Sequence, residues 1–183
     1  MGLSIRNLNK ELEEKFRKCI ALLGEEYSSL NYTIYFYENP EKLQVEQNTK
    51  PDMEPEQYMQ ILNGKTKTAG VTISDKEKIK IFLFQFGDIN SNPKEVIDLI
   101  GNLYHEIRHA WQNENNLFQN EEKISTIDGN FESYLKLPSE KDAYRFQIEQ
   151  LEKHGERIIE IFFGFKRKFT YQIKPEIKKA IYS

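Results

Sequence analysis

Residues 92–113 read NPKEVIDLIGNLYHEIRHAWQN, and the rest of the chain is best approached from this stretch. Asn92 is a good helix cap, Pro93 suits the first helical position, and Glu95 follows the cap by three residues. Val96, Leu99, Ile100, Leu103, Ile107 and Trp111 recur at helical spacing, which predicts a helix over 93–113 with those residues on its buried side. Inside it, His105-Glu106-Ile107-Arg108-His109 forms an H-E-x-x-H motif. Four residues advance an α-helix by about 400°, so His105 and His109 leave one face a turn apart and can grip one metal ion. Glu106 lies beside that face. Zinc lowers the pKa of a bound water to about 7, and a carboxylate so placed serves as general base and then as proton shuttle. The chain has 3 histidines, and a shuffled chain of this composition would contain about 0.006 such motifs.

A catalytic zinc needs a third protein ligand and one open position. The longer motif with a third histidine is absent, because Gln112 and Asn115 stand where glycine and histidine would be required. Cys19 falls on the apolar side of the first helical pattern and reads as a core cysteine. A carboxylate or His154 is left. Glu140, at the start of a second helix in LPSEKDAYRF, is the best candidate, and Ala143 one turn on would let the two helices approach. Asp142 is the next choice, although it should point about 200° away from Glu140.

Outward from the motif, KIKIFLFQF (78–86) alternates as a strand, with Ile79, Ile81 and Leu83 on one face and Phe82, Phe84 and Phe86 on the other. Apolar residues on both faces suit an inner strand. TAGVTI (68–73) forms a hairpin with it around Ser74-Asp75-Lys76, and Gly70 suits an edge strand closely approached by another backbone. NYTIYFY (31–37) is a further strand. Residues 5–28 read as one amphipathic helix through Leu8, Leu12, Phe16, Ile20 and Leu23, weakening at Gly24. Residues 38–67 read as a polar excursion with a short helix at 55–62, closed by Asn63-Gly64. Residues 113–131 read as a loop beside the metal helix, where a lid would lie. The second helix begins at Pro138 with Ala143, Phe146, Leu151 and Ile158 inward, and 164–183 is a basic tail, helical or irregular.

LYHEIRHAWQ followed by SEKDAYRF resembles the minimal zincin metallopeptidases, including the ImmA/IrrE-type and SprT-like groups. The resemblance is strongest over 68–150 of a single domain spanning 1–183. It implies an α+β zincin-like fold, in which a small mixed or antiparallel sheet packs on an active-site helix and a second helix bears a ligand. It implies zinc held by His105, His109 and Glu140, with Glu106 as catalytic base and a peptide or protein substrate extended along an edge strand. Two features depart from related groups. Tyr144 occupies the position where the thermolysin-like groups carry an aspartate, and no helix-turn-helix is evident. Tyr134, Tyr144, Arg145 and His154 are the candidates for steadying an oxyanion, with none assigned.

Composition narrows the rest. The 183 residues are 38% apolar and 30% charged, with 12 Phe and 10 Tyr, which is a globular chain with an aromatic core. A net charge of −3 carries no footprint for nucleic acid, and the basic tail reads as a solvated face. One cysteine excludes an internal disulfide framework. The start of the chain becomes charged within ten residues, and Arg6 breaks the myristoylation pattern. No membrane span is expected, and the compartment this suggests is the cytoplasm. The competing function is a non-catalytic zincin-fold module that binds a metal and a partner.

Overall fold

The computed structural model describes residues 2–63, 68–121 and 131–182. It is an α+β arrangement around a mixed four-stranded sheet, with strands β1 (Ser4–Arg6), β2 (Thr33–Tyr37), β3 (Gly70–Ile73) and β4 (Lys78–Phe82) in the order β1-β2-β4-β3. The β1–β2 and β2–β4 pairs are parallel, and β3–β4 is an antiparallel hairpin closed through a single 3₁₀ turn at Ser74–Lys76. As its composition predicts, β4 is an inner strand and β3 an edge.

Strand periodicity sorts the sheet into two faces. Register sets Ile34 beside Ile79 and Phe36 beside Ile81 on one face. Helix α5 (Pro93–Glu114) covers that face, α7 (Pro138–Phe163) packs along α5, and α1 (Lys10–Ala21) packs on α7. The main core fills this layer, with Phe16, Phe36, Leu99, Leu103, Ile107, Leu151 and Ile158 wholly or almost wholly buried. Each such side chain contributes about 1.5–3 kcal/mol on leaving water. Gly101 lets α5 and α7 approach, since a Cβ there would fall 2.8 Å from Leu151 and 2.9 Å from the Gln147 amide.

The opposite face carries Tyr37 and Phe82 and is roofed by α3 (Pro40–Thr49) and α4 (Pro55–Asn63). Lys80 points into this layer and is completely buried. Its ammonium pairs with Glu46 of α3 and with Asp52 between the two helices. Tyr58 donates to Glu46 at 2.6 Å, Tyr37 also donates to Glu46, and Lys78 reaches Asp52 at 2.7 Å. Two lysines thus balance two carboxylates.

Three expectations need correction. The pattern over 5–28 is not one helix: Ser4–Arg6 pairs with β2, Asn9 caps α1 by accepting from Leu12 N–H, and a one-turn helix α2 (Glu25–Ser28) follows Gly24. Strand pairing outweighs local periodicity there. The excursion at 38–67 contains α3 as well as α4, because Asn39 caps and Pro40 opens a second helix. Its closing Asn63-Gly64 turn reaches residue 64, outside the described residues. The strand expected over 78–86 ends at Phe82 and gives way to a 3₁₀ turn at Leu83–Gln85.

Helix α6 (Phe131–Tyr134) precedes α7, and the tail is extended to Lys174 before α8 (Pro175–Tyr182) packs back on α7. The lid expected within 113–131 falls largely at 122–130, outside the described residues. Among the described residues no helix is long and apolar enough to cross a membrane.

Candidate metal centre

Helix α5 carries His105, Glu106 and His109 in its C-terminal half, interleaved with the core residues Ile107 and Ala110. Asn92 caps it by accepting from Lys94 N–H. Glu95 does not close the expected capping box. Its carboxylate instead accepts from Gly87 N–H at 2.8 Å, which ties the β4–α5 connection to the helix start.

Glu140 sits in the first turn of α7 and meets both histidines. Its Oε2 lies 3.1 Å from His105 Nε2, its Oε1 lies 3.2 Å from His109 Nε2, and the two Nε2 atoms are 3.1 Å apart. A tetrahedral zinc with bonds of about 2.0–2.1 Å holds its ligand atoms about 3.3 Å apart; the two imidazole nitrogens have that spacing, and one ligand atom from each of the three residues lies within 4.8 Å of the others. His105 and Glu140 are buried, at 5% and 6% exposure. These three are the only His, Cys, Asp or Glu group of this kind among the described residues.

Glu106 is also buried, at 6% exposure. Thr72 of the edge strand holds it, with Oγ1 2.8 Å from the carboxylate Oε2 and 2.9 Å from the Glu106 carbonyl. Gly70 leaves the space for this arrangement: a Cβ there would meet Asn102 Oδ1 at 2.6 Å and Glu106 Cγ at 2.8 Å. The close approach expected at Gly70 is real, but it comes from α5 side chains rather than from another backbone.

The charge balance is unusual for a buried site. Glu106 and Glu140 are both buried, and among the described residues no lysine or arginine pairs with either. Burial pulls the His109 imidazole down, but the Glu140 carboxylate outweighs it and pushes His109 up to about 9. Burial likewise opposes ionisation of Glu140, and the two imidazoles overcome it, holding the carboxyl well below the usual range. Burial, reinforced by Glu140, raises the phenols of Tyr134 and Tyr144 well above their ordinary value, which keeps both neutral. The Tyr144 ring lies 4.4 Å from the His105 ring. Two carboxylates and two imidazoles converging without a resident cation suit a divalent ion, and the nitrogen and oxygen donor set fits zinc among others.

The remaining sequence candidates lie elsewhere. Asp142 turns to Arg108, with contacts of 2.7 Å to Nε and 3.1 Å to Nη2, and takes no part in the donor cluster. Cys19 is buried in the main core, where desolvation pushes its thiol up. Arg145 donates to the Ile181 carbonyl and anchors the tail. His154 lies near the middle of α7, outside the cluster. Two residues at the site have no role assigned from the sequence. Thr72 shares a strand face with Gly70, and Gln112 stands three residues after His109 on the same helix side; both spacings were visible, but neither type announces a function.

No family model, no curated protein and no solved structure matches this chain.

Proposed function

We propose that this chain is a zincin-like metallopeptidase that hydrolyses peptide bonds, with His105, His109 and Glu140 as metal ligands and Glu106 as general base. The observation that carries the reading is the meeting of two imidazole nitrogens 3.1 Å apart with the Glu140 carboxylate, one oxygen 3.1 Å from His105 and the other 3.2 Å from His109, while a second carboxylate, Glu106, is buried beside His105 in sequence. A purely structural ion has no use for that extra carboxylate.

A zinc ion held by these three side chains supplies Lewis acidity toward water and the scissile carbonyl. Glu106, steadied by Thr72, takes the proton from the attacking water and passes it to the leaving amine. An extended peptide adds to the β3 edge by main-chain hydrogen bonds, the arrangement used in β-augmentation. Tyr134 faces Glu140 and Tyr144 lies against His105, so either neutral phenol can donate toward the developing oxyanion. The single thiol, buried and free, fits a cytoplasmic enzyme.

The decisive experiment pairs elemental analysis with turnover. Wild type should carry about one zinc per chain, and Glu140→Ala should lose most of it. Glu106→Gln should keep metal and fold while cleavage of a peptide library falls by about 10²–10⁴-fold. Metal-free wild type after reconstitution would end the reading. Full turnover by Glu106→Gln would remove the base, and zinc without any cleavage would favour the partner-binding module.

A further inference from the structure

We propose that Gln112 is a positioning residue that locks His109 in the tautomer protonated at Nδ1, with Asp142 and Arg108 clamping the Gln112 amide. The inference rests on the metal-site reading above and concerns what orients one of its ligands. Gln112 is almost completely buried, at 3% exposure, and all its polar capacity is directed. One end of the amide lies 2.9 Å from the Ser139 carbonyl and 2.7 Å from Asp142 Oδ2. Neither of those atoms has a hydrogen to give, so that end must be the NH₂ group. A flipped amide would set its oxygen against a carbonyl and a carboxylate.

The other end is therefore the carbonyl oxygen, and it lies 2.9 Å from His109 Nδ1. A carbonyl only accepts. Nδ1 must then carry a proton, which leaves the Nε2 lone pair as the imidazole's donor atom. Nε2 is the atom aimed at Glu140 and His105. The histidine tautomer thus follows from the amide orientation, and the amide orientation from acceptors on α7.

The clamp is itself held in place. Arg108 grips both Asp142 oxygens, at 2.7 Å and 3.1 Å, and its guanidinium carbon stacks 3.9 Å from the centre of the Trp111 ring. Asp142 Oδ2 is shared between Arg108 and Gln112, so it cannot swing away without breaking two charge-assisted contacts. The other histidine is treated differently: among the described residues, His105 Nδ1 is buried and has no hydrogen-bond partner. Orientation by hydrogen bonding falls on His109.

The test compares zinc affinity by chelator competition in wild type, Gln112→Met and Gln112→Glu, with far-UV circular dichroism as the folding control. Methionine keeps the bulk and removes the acceptor; glutamate keeps an acceptor facing Nδ1 and, protonated on its other oxygen, still donates to Asp142 Oδ2. Affinity should fall about 10–100-fold in Gln112→Met and stay closer to wild type in Gln112→Glu. In ¹⁵N-resolved spectra of the zinc-loaded protein, the His109 Nδ1 proton should be slow to exchange in wild type and fast in Gln112→Met. Equal affinity in wild type and Gln112→Met, or an unchanged Nδ1 proton, would overturn the inference while leaving the metal site intact. Equal losses in the two folded variants would overturn it as well. A wild type that binds no zinc would instead remove the reading on which the inference rests.

Discussion

Two buried polar clusters sit on opposite faces of the same sheet and are built on opposite principles. Around Lys80, two lysines face Glu46 and Asp52, so charge is matched within the chain and two tyrosines fill the remaining acceptor sites. Around His105 and His109, two carboxylates converge with no lysine or arginine among the described residues, and the excess negative charge is met only by imidazoles. The first cluster is complete as folded. The second is short of positive charge and long in donor atoms, which is the contrast behind the proposal that it takes a cation from solution.

The sharpest way to break this contrast is to remove one member from each cluster. Lys80→Met leaves Glu46 and Asp52 in a buried layer with only Lys78 to answer them, and should cost about 3–5 kcal/mol by urea denaturation. Glu140→Gln in metal-free protein should cost less, because it removes one of two buried carboxylates and His109 can shed its proton in response. Equal losses in the two variants would mean that both clusters are ordinary structural ion pairs.

Zinc should act on only one of them. At a free concentration 100-fold above the dissociation constant, binding stabilises the folded state by about 2.7 kcal/mol. That gain should appear in wild type, vanish in Glu140→Ala, and persist in any Lys80 variant that still folds, all read from unfolding curves with and without metal. A gain that tracked Lys80 instead would place the ion on the wrong side of the sheet.

The same contrast explains what could be read from sequence. The donor cluster was legible because a local signal marks each part, although Glu140 lies 35 residues from His105: a cap at Asn92, two histidines four apart, and a carboxylate opening the next helix. Ala143 is fully buried, as a close helix crossing demands. The Lys80 cluster was not legible, because no local signal marks its partners 28 and 34 residues away. Glu46 sits on α3, whose single buried residue, Leu43, gives no amphipathic stripe to see. Strand β1 escaped for a related reason: three residues carry no periodicity, and only their pairing with β2 defines them. Gln112 was noticed for the histidine motif it fails to complete, while its actual partners belong to α7.

The smallest effect, and the one that separates the clusters without changing any core packing, is their dependence on pH. His109 is raised in the folded protein from about 6.5 to about 9, with burial opposing the shift and Glu140 prevailing. A raised histidine contributes stability that is fully present below its unfolded value and is lost as pH climbs through the folded one. Metal-free protein should therefore lose stability between about pH 6.5 and 9, and Glu140→Gln should flatten that slope. Asp52 behaves in the opposite sense: burial raises it, but Lys78 and Lys80 hold it down to about 2. Its contribution is present above the ordinary aspartate value of 3.8 and fades only as pH falls toward 2. Lys80→Met should alter the acid limb and leave the alkaline one alone. Zinc must displace the histidine proton, so the stability gap between loaded and metal-free protein should widen across the alkaline window. A gap that stayed constant from pH 6.5 to 9 would mean that the ion does not compete with the His109 proton. The ligand assignment at that residue would then fail even if the protein bound metal.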